Sequence, residues 1–295
     1  IDYSEYSVSN KFQLNSILRK NQEVTAMIKS LFPFLLSALT LISAACGGNS
    51  SGVSYSSGDP MPADAKIIYI HHSTGGVIWN GGVQAGVTAY NSASGKSYTI
   101  EESSYPDNPY DWKNYPYDYW HLWVDGGGQA ATEGVPTLES FVQDYDVIVF
   151  KHCYPVSGIG ADTGSPDISS ETKSIENYKL QYNALKTRLI QLSSNRFIVW
   201  TGAALLETAS STEDGARARA FFEWVKNEWD EPGDNIFVWD FFELETEGGN
   251  FLLPAYSDSD SHPNSTFADT AAPYFVNRLV DVIEGRGDTG SITGN

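Results

Sequence analysis

KIIYIHHSTGG, residues 66–76, is a run of apolar and β-branched residues that stops at a serine followed by glycines. Lys66 to His72 reads as a buried strand bounded by Pro62 and Gly75. Ser73 falls where that strand turns into the next element. A second stretch, SDSDSHPN at 257–264, puts His262 two residues after Asp260. Together they offer a nucleophile, a base and an orienting carboxylate. No other pair of segments offers all of these.

Four more strands follow from the same kind of pattern. SYTIEE (97–102) alternates, while DVIVFKH (146–152), RFIVWTG (196–202) and NIFVWDF (235–241) are continuous apolar runs. Continuous runs suit central strands of a parallel sheet, which is buried on both faces. Helical spacing appears over 137–143, 172–192, 213–229 and 267–284. Strands alternating with helices predict one α/β domain with a parallel sheet covered on both sides. One segment breaks the alternation. YPDNPYDWKNYPYDYWHLW (105–123) holds five Tyr, three Trp and three Pro. It reads as a non-helical loop that packs down as a lid, lines a cleft or fills a core.

The N-terminal part reads as targeting sequence. From Met27, Lys29 gives a short positive start and 31–45 is an apolar run of 15 residues, short of the roughly 20 that span a bilayer. Ser43-Ala44-Ala45-Cys46 then looks like a bacterial lipoprotein cleavage site, with Ser43 where leucine is usual. That resemblance implies lipidation of Cys46 and a place in the bacterial cell envelope, periplasmic or surface-exposed; a retained membrane anchor is the alternative. Residues 1–26 fit no signal and are taken as a miscalled upstream extension. Residues 46–63 are expected as a flexible tether, 64–284 as the folded domain and 285–295 as a disordered tail.

Residues 1–45 hold 4 Lys/Arg and 3 Asp/Glu against 18 and 37 in the whole chain, so the remainder carries 14 and 34, a net −20. Such a balance argues against nucleic acid as a partner. With Cys46 lipidated, Cys153 is left alone and no internal disulfide is expected. Oligomeric state is not readable.

In a parallel sheet, ligands sit at the carboxyl ends of the strands. Ser73 follows the first strand, His152 and Cys153 end the third, and the Asp260/His262 loop precedes the last helix. Here the chain resembles the SGNH (GDSL) hydrolase superfamily, over roughly residues 64–284. Asp260-Ser261-His262-Pro263-Asn264 is similar to that family's last motif, with Asp258 as the reserve carboxylate. The resemblance implies a three-layer α/β/α sandwich with a five-stranded flavodoxin-like parallel sheet. It also implies a Ser73–His262–Asp260 triad that hydrolyses esters, with no cofactor and no metal. His72-Ser73-Thr74 stands where the family has Asp-Ser. Lys151-His152-Cys153-Tyr154 lacks the family's oxyanion asparagine. The expected oxyanion donors are therefore the Ser73 and Gly127 N–H groups and His152.

The substrate expected is a small ester or an acylated carbohydrate, since exposed Trp and Tyr faces in 105–123 can stack on sugar rings. An O-acyltransferase with the same triad and an idle carbohydrate-binding lipoprotein are the alternatives. Each residue also has a plainer reading. Ser73 can be a helix N-cap, and His262 a turn residue. His71 and His72 can be metal ligands, although neighbours on a strand face opposite ways. Cys153 can be a nucleophile or an inert buried thiol.

Overall fold

Lys66–His71 forms β1, and its side chains alternate between two buried layers. The structure, a computed structural model, describes residues 55–295. The upstream extension, the signal-like stretch, Cys46 and the start of the tether lie outside the described residues. In chain order, β1 is followed by α1 (Thr74–Asn80), α2 (Val83–Ser94), β2 (Thr99–Ser104), α3 (Pro116–Trp123) and α4 (Gly128–Thr132). Then come α5 (Leu138–Asp144), β3 (Val147–Phe150), α6 (Ile175–Leu189), β4 (Arg196–Trp200) and α7 (Thr212–Trp224). The chain ends with β5 (Ile236–Trp239), α8 (Phe241–Thr246) and α9 (Ser265–Ile283).

The five strands are all parallel, in the order β2-β1-β3-β4-β5. The expected three-layer α/β/α sandwich is the fold. Ile68, Ile70, Ile148, Phe150, Val199 and Val238 face one helical layer, with Tyr119 and Trp123 of α3, Tyr182 of α6 and Phe221 of α7. Ile67, Val149, Trp200 and Trp239 face the other, with Ile78 of α1, Val87 of α2 and Phe275 of α9. The chain leaves β1 for one edge and β3 for the other. The crevice at their carboxyl ends is therefore the switch point where such sheets bind ligands.

The segment 105–123 corrects one expectation, because its last part is helical. Pro116 sits in the first turn of α3, where its missing N–H costs nothing and its fixed φ suits the helix. Tyr105, Tyr119, Leu122 and Trp123 are core, so most of the aromatic content fills a layer. Trp112, in contrast, is 37% exposed.

The domain limits also change. Met61, assigned to the tether, is buried, and its N–H reaches the Ile283 carbonyl at 2.7 Å. The buried Arg196 guanidinium donates to carbonyls at both ends of the domain, Ser56 and Asp59 on one side and Val282 and Ile283 on the other. Residues 285–295 are docked rather than a disordered tail. Asp240 N–H reaches the Ile292 carbonyl at 2.8 Å, and the Trp239 indole N–H reaches Thr293 at 2.9 Å. Arg278 spans the Val238 and Gly287 carbonyls at 2.8 and 2.6 Å. The small residues there fit close against α9, where a side chain on Gly294 would strike the Tyr274 carbonyl. Truncation after Glu284 strands these buried donors. It is expected to lower unfolding stability by about 3–5 kcal/mol, at roughly 1–3 kcal/mol per unsatisfied group. Denaturant titration of the full and shortened chains measures it.

Candidate active site

Ser73 joins β1 to α1 with φ 48° and ψ −100°, a conformation that side-chain-bearing residues rarely adopt. It occupies the N-cap position of α1, yet its hydroxyl caps nothing. Ser174, Ser211 and Asn264 cap α6, α7 and α9 in the ordinary way, each accepting an N–H from the first turn. The exposed Ser73 hydroxyl instead meets His262, with Oγ 2.5 Å from Nε2. The plain N-cap reading is thereby excluded. Such strain persists only where surrounding structure enforces it. Gly75 shows how tightly the turn is held. A Cβ there would lie 2.4 Å from the His71 Cβ and 2.5 Å from the Tyr69 hydroxyl.

His262 sits in a loop fastened on both sides. Asp258 N–H donates to the His262 carbonyl at 3.0 Å, and Asn264 N–H to the Tyr256 carbonyl at 2.7 Å. Asn264 also caps α9, so the imidazole is fixed just before a long helix. Asp260 Oδ1 lies 2.7 Å from His262 Nδ1 and also accepts the His262 backbone N–H at 2.9 Å. Asp260, not the reserve Asp258, thus stands on the ring. The His262 backbone N–H and then its ring hold the Asp260 carboxyl below its ordinary range. Nδ1–H donates to the Asp260 carboxylate, which leaves Nε2 as the acceptor for the serine hydroxyl.

The other expected oxyanion donors are not at this point. Gly127 N–H is spent on the His121 carbonyl of α3 at 2.7 Å. Gly127 lies between α3 and α4 with φ 71°, in the left-handed region that glycine takes easily. His152 is buried on the opposite face of the sheet, with Nε2 3.1 Å from the Tyr182 hydroxyl and its ring edge against Tyr119. The Ser73 N–H has no acceptor among the described residues.

Two further residues stand at the site: Cys153, readable from sequence as a nucleophile or an inert thiol, and Tyr154, given no role there. Cys153 is buried with Sγ 3.2 Å from the Thr74 hydroxyl and within reach of the His262 ring. Burial works to raise its pKa. The Lys151 ammonium, then His262 and Thr74, outweigh this and bring it down to about 6. The same thiol and Asp260 raise His262 above its ordinary value against the effect of burial. Strand alternation held the signal: His152 and Cys153 must face opposite sides, and Cys153 takes the side of Thr74. Tyr154 adds a ring edge-on to His262, with centroids 4.9 Å apart.

His71 and His72 also part company. His71 Nε2 lies 2.9 Å from Glu102 of β2. Burial, then Lys151, lowers its pKa to about 3. His72 stacks on Trp112 at 4.2 Å and contacts the Pro106 carbonyl. A larger cavity of about 570 Å³, beside Tyr90, Val276 and Asn277, holds none of these residues.

No family model matches the chain, and no curated protein matches it. Among solved structures it is similar to an acetyl xylan esterase at 15% identity and TM-score 0.43, covering 70% of this chain and 96% of that one. It is also similar to a proposed acylhydrolase of Bacteroides fragilis at 11% identity and TM-score 0.38, covering 75% and 91%. A third is a gut microbial diltiazem-metabolizing enzyme, at 12% identity and TM-score 0.44, covering 80% and 49%.

Strain at Ser73 can be measured. Ser73→Gly relieves it and Ser73→Ala does not. The glycine variant is expected to be the more stable by about 1 kcal/mol, the lower end of the 1–3 kcal/mol such conformations store. Thermal unfolding of the two variants side by side reads the difference.

Proposed function

We propose that this chain is a serine esterase that hydrolyses O-acyl esters through Ser73, His262 and Asp260. The observation that carries the reading is an exposed serine hydroxyl 2.5 Å from an imidazole whose other nitrogen is on a carboxylate. His262 Nε2 takes the Ser73 proton as Oγ attacks the ester carbonyl. The tetrahedral oxyanion forms against the Ser73 N–H, and His262 returns the proton to the leaving alcohol. Water then repeats the sequence on the acyl-serine, with His262 again as base. Asp260 keeps the productive tautomer and stabilises the imidazolium that forms.

An acylated carbohydrate is the substrate class we favour. Trp112 presents an exposed indole over His72, the residue next to the nucleophile. The neighbouring residues Tyr110 and Lys113 line a cleft of about 360 Å³ with Tyr117, His121 and Glu171. Export and lipid anchoring through Cys46 belong to the same reading and rest on the sequence of residues 27–46. A second reading, an idle carbohydrate-binding lipoprotein, is favoured by the positions of Gly127 and His152 away from the serine.

Hydrolysis of p-nitrophenyl acetate separates the two. Under the esterase reading, Ser73→Ala and His262→Ala leave only a small residual turnover and Asp260→Asn lowers kcat by about 10⁴-fold. Equal inactivity of wild type and Ser73→Ala, with glycan binding retained, selects the binding protein.

The pH profile gives a further test. His262 acts as a base only when neutral, and its pKa is raised, so activity increases with pH along a limb lying above 6.5. Cys153 is the first contributor to that rise. Cys153→Ala is therefore expected to move the limb to lower pH, read from kcat/KM between about pH 5 and 9. An unmoved limb refutes the coupling.

A further inference from the structure

Lys151 is 3% exposed at the carboxyl end of β3, on the side of Trp200. Among the described residues no carboxylate closes an ion pair with it. A buried ammonium that no carboxylate pairs with directly is costly even beside the Cys153 thiol, so its position calls for a reason. Its hydrogen bond supplies one. Nζ donates to the His72 carbonyl at 3.0 Å, and the Gly75 N–H donates to the same oxygen at 2.9 Å.

That carbonyl belongs to the peptide unit whose other edge is the Ser73 N–H. The His72–Ser73 bond is not among the cis peptides of the chain, so the unit is planar and trans. Its C=O and N–H then point in opposite directions. With the carbonyl drawn inward by Lys151, the N–H is turned the other way and has no acceptor among the described residues. A charge on the carbonyl also polarises the whole unit, which strengthens the N–H as a donor.

The surrounding groups are compatible with a cation at Nζ. Tyr69 and His71 face this region from β1, with Glu102 behind His71 and His72 just beyond the strand end; Cys153 follows β3, with His152 turned to the other face; Glu245 comes from α8, and Asp260 and His262 from the loop before α9. His71 and His152 are held neutral, each lowered to about 3 by burial and then Lys151. Burial lowers the Lys151 pKa too, opposed by Cys153 and Glu245.

We propose that Lys151 is a positioning residue for acyl transfer: by holding the His72 carbonyl, it aims and polarises the Ser73 N–H as the oxyanion donor. The inference rests on the esterase reading of Ser73. A positioning role makes a distinct prediction, because the oxyanion exists in the transition state and not in the bound ester.

The test uses the full chain, with p-nitrophenyl acetate kinetics and labelling of Ser73 by diisopropyl fluorophosphate. Lys151→Met is expected to lower kcat about 100-fold, the low end for loss of one oxyanion donor, with KM within about twofold of wild type. Labelling of Ser73 should slow in parallel. Lys151→Gln keeps a neutral donor for the carbonyl and should recover about tenfold of the loss. A folded Lys151→Met with wild-type kcat and labelling rate overturns the proposal and leaves the esterase reading intact. If Lys151→Met does not fold, Lys151→Gln decides: a kcat about tenfold below wild type supports the role, and an unchanged kcat overturns it. If wild type is not labelled at Ser73 and Ser73→Ala hydrolyses as well as wild type, the esterase reading itself fails and takes this proposal with it.

Discussion

The strained turn at Ser73 is the constraint on which the rest of the site depends. A serine at φ 48° and ψ −100° lifts its hydroxyl off the helix it introduces and presents it to solvent. The turn survives because it is gripped from beneath. Gly75 lets α1 sit directly on His71 and Tyr69, and the His72 carbonyl takes both the Gly75 N–H and the Lys151 ammonium. Relaxing any of these would let the chain fall into ordinary N-cap geometry, with the hydroxyl turned to the first turn of α1. Conformational cost is therefore concentrated where a reactive group must be held.

The sheet turns this local device into a site. β1 and β3 are neighbours, with Ile70 in register with Phe150, so Ser73 and Cys153 leave the sheet side by side. Helix α9 packs against α1 and brings the loop before it to the same rim. The Asn264 cap and the Tyr256–Asn264 backbone bond stop that loop from swinging. Ser73 and His262 are 189 residues apart, and neither depends on the other for its placement. Each is positioned by its own junction with a regular element.

Much of this was legible in the chain. Strands such as RFIVW and IFVW announce themselves because central parallel strands are apolar on both faces. The triad candidates stood out because strand ends and a late Asp/His pair are where chemistry collects. What stayed hidden was set by partners far away in sequence. Nothing in the sequence around Gly127 says where its N–H goes, and the fold spends it on the His121 carbonyl. A tail of Gly, Ser and Thr looks solvated until α9 and the Trp239 indole give it something to bond. Prolines suggested an irregular loop over 105–123, but Pro116 falls in the first turn, the position that tolerates it. Lys151 looked like the polar end of an apolar run, and only the fold brings the His72 carbonyl to it.

Cys153 raises the question of which group is the nucleophile, since its thiol also lies beside His262 and is the more acidic. Under the esterase reading, accessibility favours the serine. Cys153 is 3% exposed and its sulfur is occupied by the Thr74 hydroxyl, whereas Ser73 is exposed. An ester carbonyl must come within about 3–3.5 Å of the attacking atom. It can reach Oγ from solvent, but reaching Sγ would require displacing the strand end that carries it. The thiol is then better understood as an electrostatic neighbour. Its acidity is set chiefly by the Lys151 ammonium, and it raises the affinity of the imidazole for a proton. In the proposed mechanism, a base so adjusted would hold the serine proton more firmly at the moment of attack, at the cost of being idle at lower pH.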